Sequence, residues 1–321
     1  MTLLRRLIDN AGPVGLLIVT VLACGLLDER ILAAQNLMIV LMQAVPTVIL
    51  ALGAFIVLLT GGIDLSAGIS VTLASIVMAS LLAGGLGLPA TLLAGLATVA
   101  FIGLVNGTLI TAFRVPAFVA TLATMSCVQG VVLLLAEQGV YVLSEPSLKW
   151  LGTTRLGGVP VSVIASLVVI AAAFLLMQRT RFGLRVYATG SDADATALAN
   201  VSTSRVLLLT YVAASCFTWL AAVALIARTP IVTPNLGGQS LLLDAIAACV
   251  LGGTSIFGGR GTVVGVVAGS LIVGLFSNAL RVVGIDPSSL DLMKGGLLLA
   301  ALVCDVGITN LRAKIMKESL K

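Results

Sequence analysis

The chain alternates between long apolar runs and short polar interruptions. A run of about 20 apolar residues is long enough to cross a bilayer as an α-helix. The runs are continuously apolar, without the two-residue alternation of membrane β-strands, which favours helices. The pattern predicts ten membrane-spanning helices, at about 12–27, 37–60, one ending at 83, 89–113, 117–136, 160–177, 206–227, 241–251, 262–283 and 290–306.

Two segments leave the number of crossings open. Pro46 lies inside the second run, where a proline frees a backbone carbonyl that then needs another partner. The eighth run, 241–251, is short for a full crossing, which suggests a broken or partly inserted helix. If either segment is re-entrant, the chain has nine or eleven spans. Otherwise Pro46 marks a plain kink.

A basic interruption, residues 178–205, separates the sixth and seventh runs. It contains a predicted short helix, for which Ser191 is the expected N-cap and Asp194, three residues on, completes a capping pattern. Residues 195–199 favour helix, and Asn200 can take the left-handed conformation that ends one. The loop is longer than a simple connection needs. This helix is therefore either a handle for a soluble partner or an ordered turn without one.

Lysine and arginine set the predicted orientation, because positively charged loops stay in the cytoplasm. With ten spans and the N-terminus inside, both termini, the 178–205 loop and a glycine-rich loop at 252–261 face the cytoplasm. Twice as many Lys and Arg residues fall on that side as on the other. The sequence thus predicts one membrane domain over residues 1–321, N-in and C-in, with a cytoplasmic loop at 178–205.

Composition agrees with an integral membrane protein and removes most catalytic chemistry. Hydrophobic residues make up 59% of the chain and charged residues 10%, whereas soluble domains carry about 25% charged residues. There is no histidine, and the five cysteines lie in apolar runs without the spacing of metal ligands. No basic cluster carries interleaved aromatic residues. We therefore expect no catalytic site, no metal and no nucleic-acid partner.

One glycine pair and two carboxylates lie near predicted membrane boundaries. Gly61 and Gly62 permit a tight turn, and Asp64 can cap the helix that starts next. A charge deep in lipid costs at least about 2.5 kcal/mol. For Asp64 and Asp244 we therefore expect roles as helix caps or loop braces rather than as proton carriers.

A second glycine-rich turn follows the eighth run. Gly252, Gly253, Gly258 and Gly259 belong to the stretch GGTSIFGGRG, which superficially resembles a phosphate-binding loop. It lacks the Lys-Ser/Thr pair that contacts phosphate and magnesium in such loops. The glycines are expected to allow a tight turn and close helix packing.

Polar side chains inside apolar runs are the candidates for a solute pathway. Asn106 lies in the fourth predicted span, and Thr121, Thr124 and Gln129 share one broad face of the fifth. The alternative is that these groups bond to the helix backbone or to neighbouring helices.

Four stretches resemble the permease subunits of bacterial monosaccharide ABC importers, of the ribose, xylose, arabinose and galactose type, and they occur in the same order as in that family. They are TGGIDLSAG (60–68), RVPAFVATLATM (114–125), RTRFGLRVYATGSDADATALANV (179–201) and LLDAIAACVLGGTSIFGGRGTVVG (242–265). The resemblance covers nearly the whole chain. It implies an all-α ABC importer permease fold in the bacterial inner membrane.

The resemblance also implies partners. A second permease copy, identical or different, would complete the membrane core, two cytoplasmic ABC ATPases would bind ATP-Mg and drive it, and a periplasmic binding protein would deliver sugar. This chain would bind no cofactor itself. The segment 192–199 would be the coupling helix that docks into the ATPase, with the contact residues Ser191, Asp192, Asp194, Ala195, Ala199 and Asn200.

The docking segment departs from the family pattern. Members usually read Gly-x-Asn, Ala-Ala and Ser-Gly-Ile, whereas Gly190 is followed here by Ser191 and Asp192, and the last triplet is Ala199-Asn200-Val201. Because asparagine also accepts the left-handed turn, the shape can survive.

The main hypothesis is an ATP-driven importer of a small sugar or polyol. A branched-chain amino-acid or nucleoside ABC permease is the first alternative, and a transporter or channel that works without ATP is the second. A membrane enzyme is a more distant alternative, since the sequence offers no catalytic constellation.

Overall fold

The computed structural model describes residues 3–136, 141–143, 145–286, 289, 292–296 and 299, without the side chains of 3–10 and 136. The described chain is almost entirely helical. Six helices are long and apolar enough to cross a membrane. They are α2 (Ala34–Leu59), α4 (Leu88–Thr111), α5 (Ala117–Ala136), α7 (Val161–Arg179), α10 (Thr203–Arg228) and α12 (Val263–Val282).

Three more helices have shorter apolar stretches: α1 (Leu3–Leu27), which is apolar from residue 11, α3 (Ala67–Ala83) and α11 (Gly238–Leu251). A helix is thus present at every predicted span up to residue 283. The tenth predicted span, 290–306, lies outside the described residues apart from 292–296 and 299.

The remaining elements are short and connect the apolar helices. A 3-10 turn, Glu29–Leu32, links α1 to α2, and there the Arg30 guanidinium hydrogen-bonds the Asp28 carboxylate (2.6 Å) and holds the pKa of Asp28 below its usual value. The others are α6 (Pro146–Thr153), α8 (Arg181–Ser191), α9 (Ala193–Leu198), β1 (Tyr141–Val142), β2 (Arg155–Leu156), β3 (Val159–Pro160) and β4 (Ile231–Val232).

The connection before α7 carries more structure than the sequence suggested. Between the predicted spans 117–136 and 160–177, α6 packs against α7 and α10, and β2 pairs with β3 in an antiparallel hairpin. β1 pairs with the distant β4, Tyr141 opposite Val232. The β1–β4 pair joins the loop after α5 to the loop after α10.

α2 is the centre of the bundle. Its side chains from Leu50 to Leu52 and from Phe55 to Leu59 are almost completely buried. It packs against α7, α10, α11 and α12. A helix that is apolar on all sides belongs in the interior, which matches this position. Pro46 lies inside α2 without ending it, so the segment is one helix and not a broken one.

Polar pairs join apolar helices at two points. Asn36 of α2 and Asn278 of α12 exchange amide hydrogen bonds of 2.7 and 3.1 Å. Lys294 Nζ lies 3.0 Å from Asp244 Oδ2, with each side chain 18% exposed. Asp244 lies inside α11, away from the start of the helix, so it does not match the expected cap or loop brace; it pairs with a lysine that follows α12 in the sequence.

The amide pair generates a prediction about stability. Asn278→Ala removes both bonds and should lower the free energy of unfolding by about 1 kcal/mol, measured by chemical unfolding of purified protein in detergent micelles. The double variant Asn36→Ala/Asn278→Ala should cost clearly less than the sum of the two single variants. Strict additivity would contradict the pairing. Ser126→Ala, which removes an exposed hydroxyl on α5, should have little effect.

Candidate functional site

Two consecutive helices, α8 and α9, form the centre of the 178–205 loop. Thr180 Oγ1 accepts a hydrogen bond from the Gly183 amide (3.3 Å) and caps α8. The sequence predicted one helix here; the structure has two. α8 was missed because it is amphipathic and carries arginines, so it does not resemble a membrane span.

The N-cap of α9 is Asp192, not Ser191 as predicted. Asp192 Oδ1 accepts a hydrogen bond from the Ala195 amide (2.9 Å), and its backbone is extended. Ser191 is the last residue of α8, where its hydroxyl donates to the Tyr187 carbonyl (2.9 Å). The Ser191 hydroxyl is therefore bonded within α8, and the next residue, Asp192, caps α9.

The predicted end of the helix is confirmed. Asn200 has φ of +60°, in the left-handed region. Its amide donates to the Ala197 carbonyl (3.0 Å), and the Val201 amide donates to the Thr196 carbonyl (3.3 Å). These bonds satisfy carbonyls that the last turn of a helix otherwise leaves open.

The helices α8 and α9 each carry an exposed leucine. Leu184 is 70% exposed and Leu198 is 90% exposed. Two open clefts of about 690 and 620 Å³ flank α9. Ala195, Ala199 and Asp192 line the first cleft and Asn200 the second, and Asp194 is exposed nearby. The clefts share Arg185 and Val201; Arg181 lines only the first and Arg205 only the second.

The glycine-rich loop after α11 packs against α8. The Gly259 amide donates to the Leu59 carbonyl at the end of α2 (2.9 Å), and a Cβ on Gly190 would collide with that carbonyl. Tyr187 Oη donates to the Gly261 carbonyl (2.9 Å). Phe257, at the tip of the loop, is 80% exposed. We call α8, α9 and the loop 252–261 together the docking surface.

The glycines of this loop behave as expected from the sequence. Gly253, Gly258 and Gly259 have positive φ, which allows the tight turn. Gly252 has ordinary backbone angles, but a Cβ there would collide with the Gly265 carbonyl of α12. The tight turn and the close helix packing thus both require residues without a Cβ.

Residues 60–66, which we call the break segment, connect α2 to α3 without helical structure. Gly61 supplies a positive φ of +76°, and a Cβ on Gly62 would lie 2.8 Å from Tyr211 Oη. Asp64 Oδ1 accepts hydrogen bonds from the Ser66 amide (2.9 Å) and hydroxyl (2.6 Å). Asp64 thus braces the start of α3, as predicted.

Three different helices contribute side chains to the break segment. Asn106 Nδ2 of α4 donates to Ser66 Oγ (2.9 Å). The Ile63 carbonyl accepts from Tyr211 Oη of α10 (3.3 Å) and from Thr121 Oγ1 of α5 (3.2 Å), whose single proton is shared with the Ala117 carbonyl of α5 (2.9 Å). All four of these side chains are at most 1% exposed. Inside an apolar bundle, this arrangement satisfies a carbonyl that helical structure leaves open.

The candidate pathway residues separate into two groups. Asn106, Thr121 and Thr124 are buried, and the first two meet at the break segment. Gln129 is exposed, unlike Thr121 and Thr124 of the same helix, so the broad face predicted for the helix is only partly buried. Asn106 Oδ1 is buried with no hydrogen-bond partner among the described residues.

Sequence reasoning missed Ser66 and Tyr211. Ser66 follows Asp64 by two residues, a spacing at which an aspartate commonly bonds the backbone. Tyr211 is an isolated tyrosine in an apolar run, and a buried tyrosine hydroxyl usually finds a partner. Both signals identify a bonded residue but not its partner.

The described residues hold no group of three or more His, Cys, Asp or Glu side chains that could bind a metal. The described residues instead form an exposed surface on α8, α9 and the loop 252–261 and a buried polar cluster, joined by the break segment.

Comparison with known proteins identifies relatives along the whole chain. The family model described as branched-chain amino acid transport system / permease component matches residues 36–302. The ribose import permease protein of Bacillus subtilis is 32% identical over 299 residues, covering 92% of each chain. The fructose import permease protein of Rhizobium meliloti is 32% identical over 318 residues, covering 94% of this chain and 87% of the relative.

A third relative is the D-allose transport system permease protein of Escherichia coli, 30% identical over 300 residues, covering 92% of this chain and 91% of the relative. No solved structure gives a significant match to the chain.

The cap of α9 generates a prediction. Asp192→Ala should raise amide hydrogen-exchange rates over residues 195–201 about fivefold, because loss of an N-cap costs a helix about 1 kcal/mol. Asp194→Ala removes the same charge from an exposed position that makes no cap, and should have a smaller effect. Equal effects of the two variants would show that charge, not capping, holds the helix.

Proposed function

Because the chain belongs to the family of branched-chain amino acid transport system permease components, we propose that it is the membrane permease subunit of an ATP-driven importer for a small sugar or polyol. It is a multi-pass protein of the inner membrane, as its family and its apolar helices indicate. The sugar assignment rests on the names of the ribose, fructose and allose permeases that it matches over most of its length.

The docking surface is the observation that carries the proposal. In this proposal α9 is the coupling helix, and Leu198 enters a pocket of a cytoplasmic ABC ATPase while neighbouring arginines meet acidic side chains. Ser191, Asp192, Asp194, Ala195, Ala199 and Asn200 shape or border this contact. A rigid, capped helix with an exposed apolar tip suits an interface in which a few anchors provide most of the binding energy.

The orientation follows from the same assignment. We propose that residues 178–205 and 252–261 face the cytoplasm and that both termini do as well, with ten spans including 290–306. The hairpin of β2 and β3 then faces the periplasm. The excess of Lys and Arg on the inner side supports this orientation.

We propose that ATP is hydrolysed by other subunits. Two ABC ATPases bind ATP-Mg, a periplasmic binding protein delivers the sugar, and a second permease, a copy of this chain or a different one, completes the core. The loop 252–261 lacks the Lys-Ser/Thr pair of a phosphate-binding loop, which supports a chain without its own ATPase site. We propose no cofactor for this chain.

The pathway proposal divides the four candidate residues by whether they bond the break segment. Thr124 and Gln129, on α5, are proposed to meet the solute when the helices move. Asn106 and Thr121 are engaged with the break segment and are proposed to act on the pathway by holding that segment in place.

Rival functions make different predictions. A branched-chain amino-acid or nucleoside importer would share the docking surface, and a panel of labelled substrates separates it from a sugar importer. The family description mentions branched-chain amino acids, so leucine belongs in that panel. A secondary transporter or channel would have no use for the docking surface.

Substitution of the exposed anchor tests the proposal. In the importer assembled with its ATPases and sugar-loaded binding protein, Leu198→Asp should reduce stimulated ATP hydrolysis at least about tenfold, as expected when an interface anchor worth about 2 kcal/mol is replaced by a charge. Ala195→Asp, on the same helix, should uncouple hydrolysis from uptake. Unchanged uptake in both variants would contradict the assigned docking helix.

The matched control is Leu156→Asp. Leu156 is 52% exposed on β2, in the hairpin proposed to face the periplasm. The same chemical change there should leave association with the ATPase intact, which separates a specific docking defect from a general effect of an added charge.

A further inference from the structure

The two ends of the break segment contact different parts of the molecule. Just before it, the Leu59 carbonyl accepts a hydrogen bond from Gly259 of the docking surface (2.9 Å), and Gly190 packs on the same carbonyl. At its far end, Ser66 leads into α3 and accepts a hydrogen bond from Asn106 (2.9 Å). The segment thus connects the docking surface to the buried polar cluster.

The middle of the break segment is held by two more helices. Tyr211 of α10 donates to the Ile63 carbonyl over 3.3 Å. Thr121 of α5 shares its one hydroxyl proton between the Ile63 carbonyl (3.2 Å) and the Ala117 carbonyl of its own helix (2.9 Å). The amides of Thr60, Gly61 and Gly62 bond carbonyls at the end of α2. Beyond Gly62 the segment is held by these side chains and by Asp64, which bonds Ser66.

Burial makes these bonds costly to break. Ser66, Asn106, Thr121 and Tyr211 are each at most 1% exposed, so water cannot replace a lost partner without opening the bundle. Among the described residues, no lysine or arginine forms an ion pair with Asp64. A shift of the break segment must therefore either move α4, α5 and α10 with it or leave buried polar groups unpaired.

We infer that the break segment is the transmission element of the permease. Motion imposed on the docking surface displaces the Leu59 end, and the hydrogen bonds from Asn106, Thr121 and Tyr211 pass that displacement to α4, α5 and α10. Asn106, Thr121, Tyr211 and Ser66 are positioning residues in this scheme. The direction of motion rests on the proposed function, whereas the mechanical link itself belongs to this chain alone.

The first experiment uses the purified chain in detergent micelles, without partners. Coupling between two sites is reciprocal. Removing hydrogen bonds to the break segment should therefore increase amide exchange at the docking surface. The double variant Thr121→Val/Tyr211→Phe removes both donors to Ile63 with little change in shape. Amide exchange over 61–67 should rise about fivefold, the effect of one buried hydrogen bond, and exchange over 184–201 at least about twofold, the lower limit for coupled sites.

Two control variants frame this result. Thr121→Ser keeps the hydroxyl and should restore exchange at both places towards that of the unmodified chain when combined with Tyr211→Phe. Ser126→Ala removes an exposed hydroxyl from the same helix and should change neither region. Faster exchange confined to residues 61–67, with 184–201 unchanged, would overturn the inference.

The second experiment uses the assembled importer in proteoliposomes, with labelled D-ribose as the first probe and D-fructose and D-allose as alternates. Ser66→Ala and the double variant should retain ATP hydrolysis stimulated by the loaded binding protein but transport about fivefold less sugar per ATP. An unchanged ratio of sugar to ATP would overturn the inference. Failure of the unmodified importer to respond to the binding protein would instead contradict the proposed function, and the exchange results on the chain alone would stand.

Discussion

The polar groups of the break between α2 and α3 impose the strictest condition on this structure. Inside an apolar bundle, backbone groups that helical structure does not satisfy must find other partners. The carbonyl of Ile63 finds them in Thr121 and Tyr211, and the carboxylate of Asp64 in the amide and hydroxyl of Ser66. Because these partners come from separate helices, one local requirement fixes the relative positions of α3, α5 and α10.

The same break explains why the docking surface is close to the interior. α2 ends where the loop 252–261 and α8 meet, and Gly190 and Gly259 allow both backbones to approach the Leu59 carbonyl. Side chains at these glycines would keep the hairpin of α8 and α9 away from the bundle. In the proposed importer, the energy of ATP enters through this contact, and the bundle needs no catalytic group of its own.

Much of the architecture was predictable because apolar run length is a strong signal. Helices occupy the predicted spans up to residue 283, and Asn200 ends α9 in the left-handed turn expected of it. The errors fell where local preferences competed. Ser191 and Asp192 are both good caps, and the unrecognised helix α8 decided between them by extending through Ser191.

Contacts between residues far apart in the sequence could not be predicted either. The sequence marked Asn106, Thr121 and Asp64 as separate polar residues, but nothing in their spacing showed that they meet at one segment. Asp244 was expected to be a cap or loop brace, and nothing near it in the sequence indicated its partner Lys294, 50 positions along the chain. The family resemblance was readable from the four motifs, and the full-length relatives confirm it.

We propose a division of functions in which this chain forms the transmembrane pathway and partner subunits hydrolyse ATP. Uptake of labelled ribose, fructose and allose into proteoliposomes tests it most directly, with the chain alone compared with the chain plus its ATPases, binding protein and ATP. The account predicts ATP-dependent uptake of a sugar only in the complete assembly. Sustained uptake by the chain alone would contradict it.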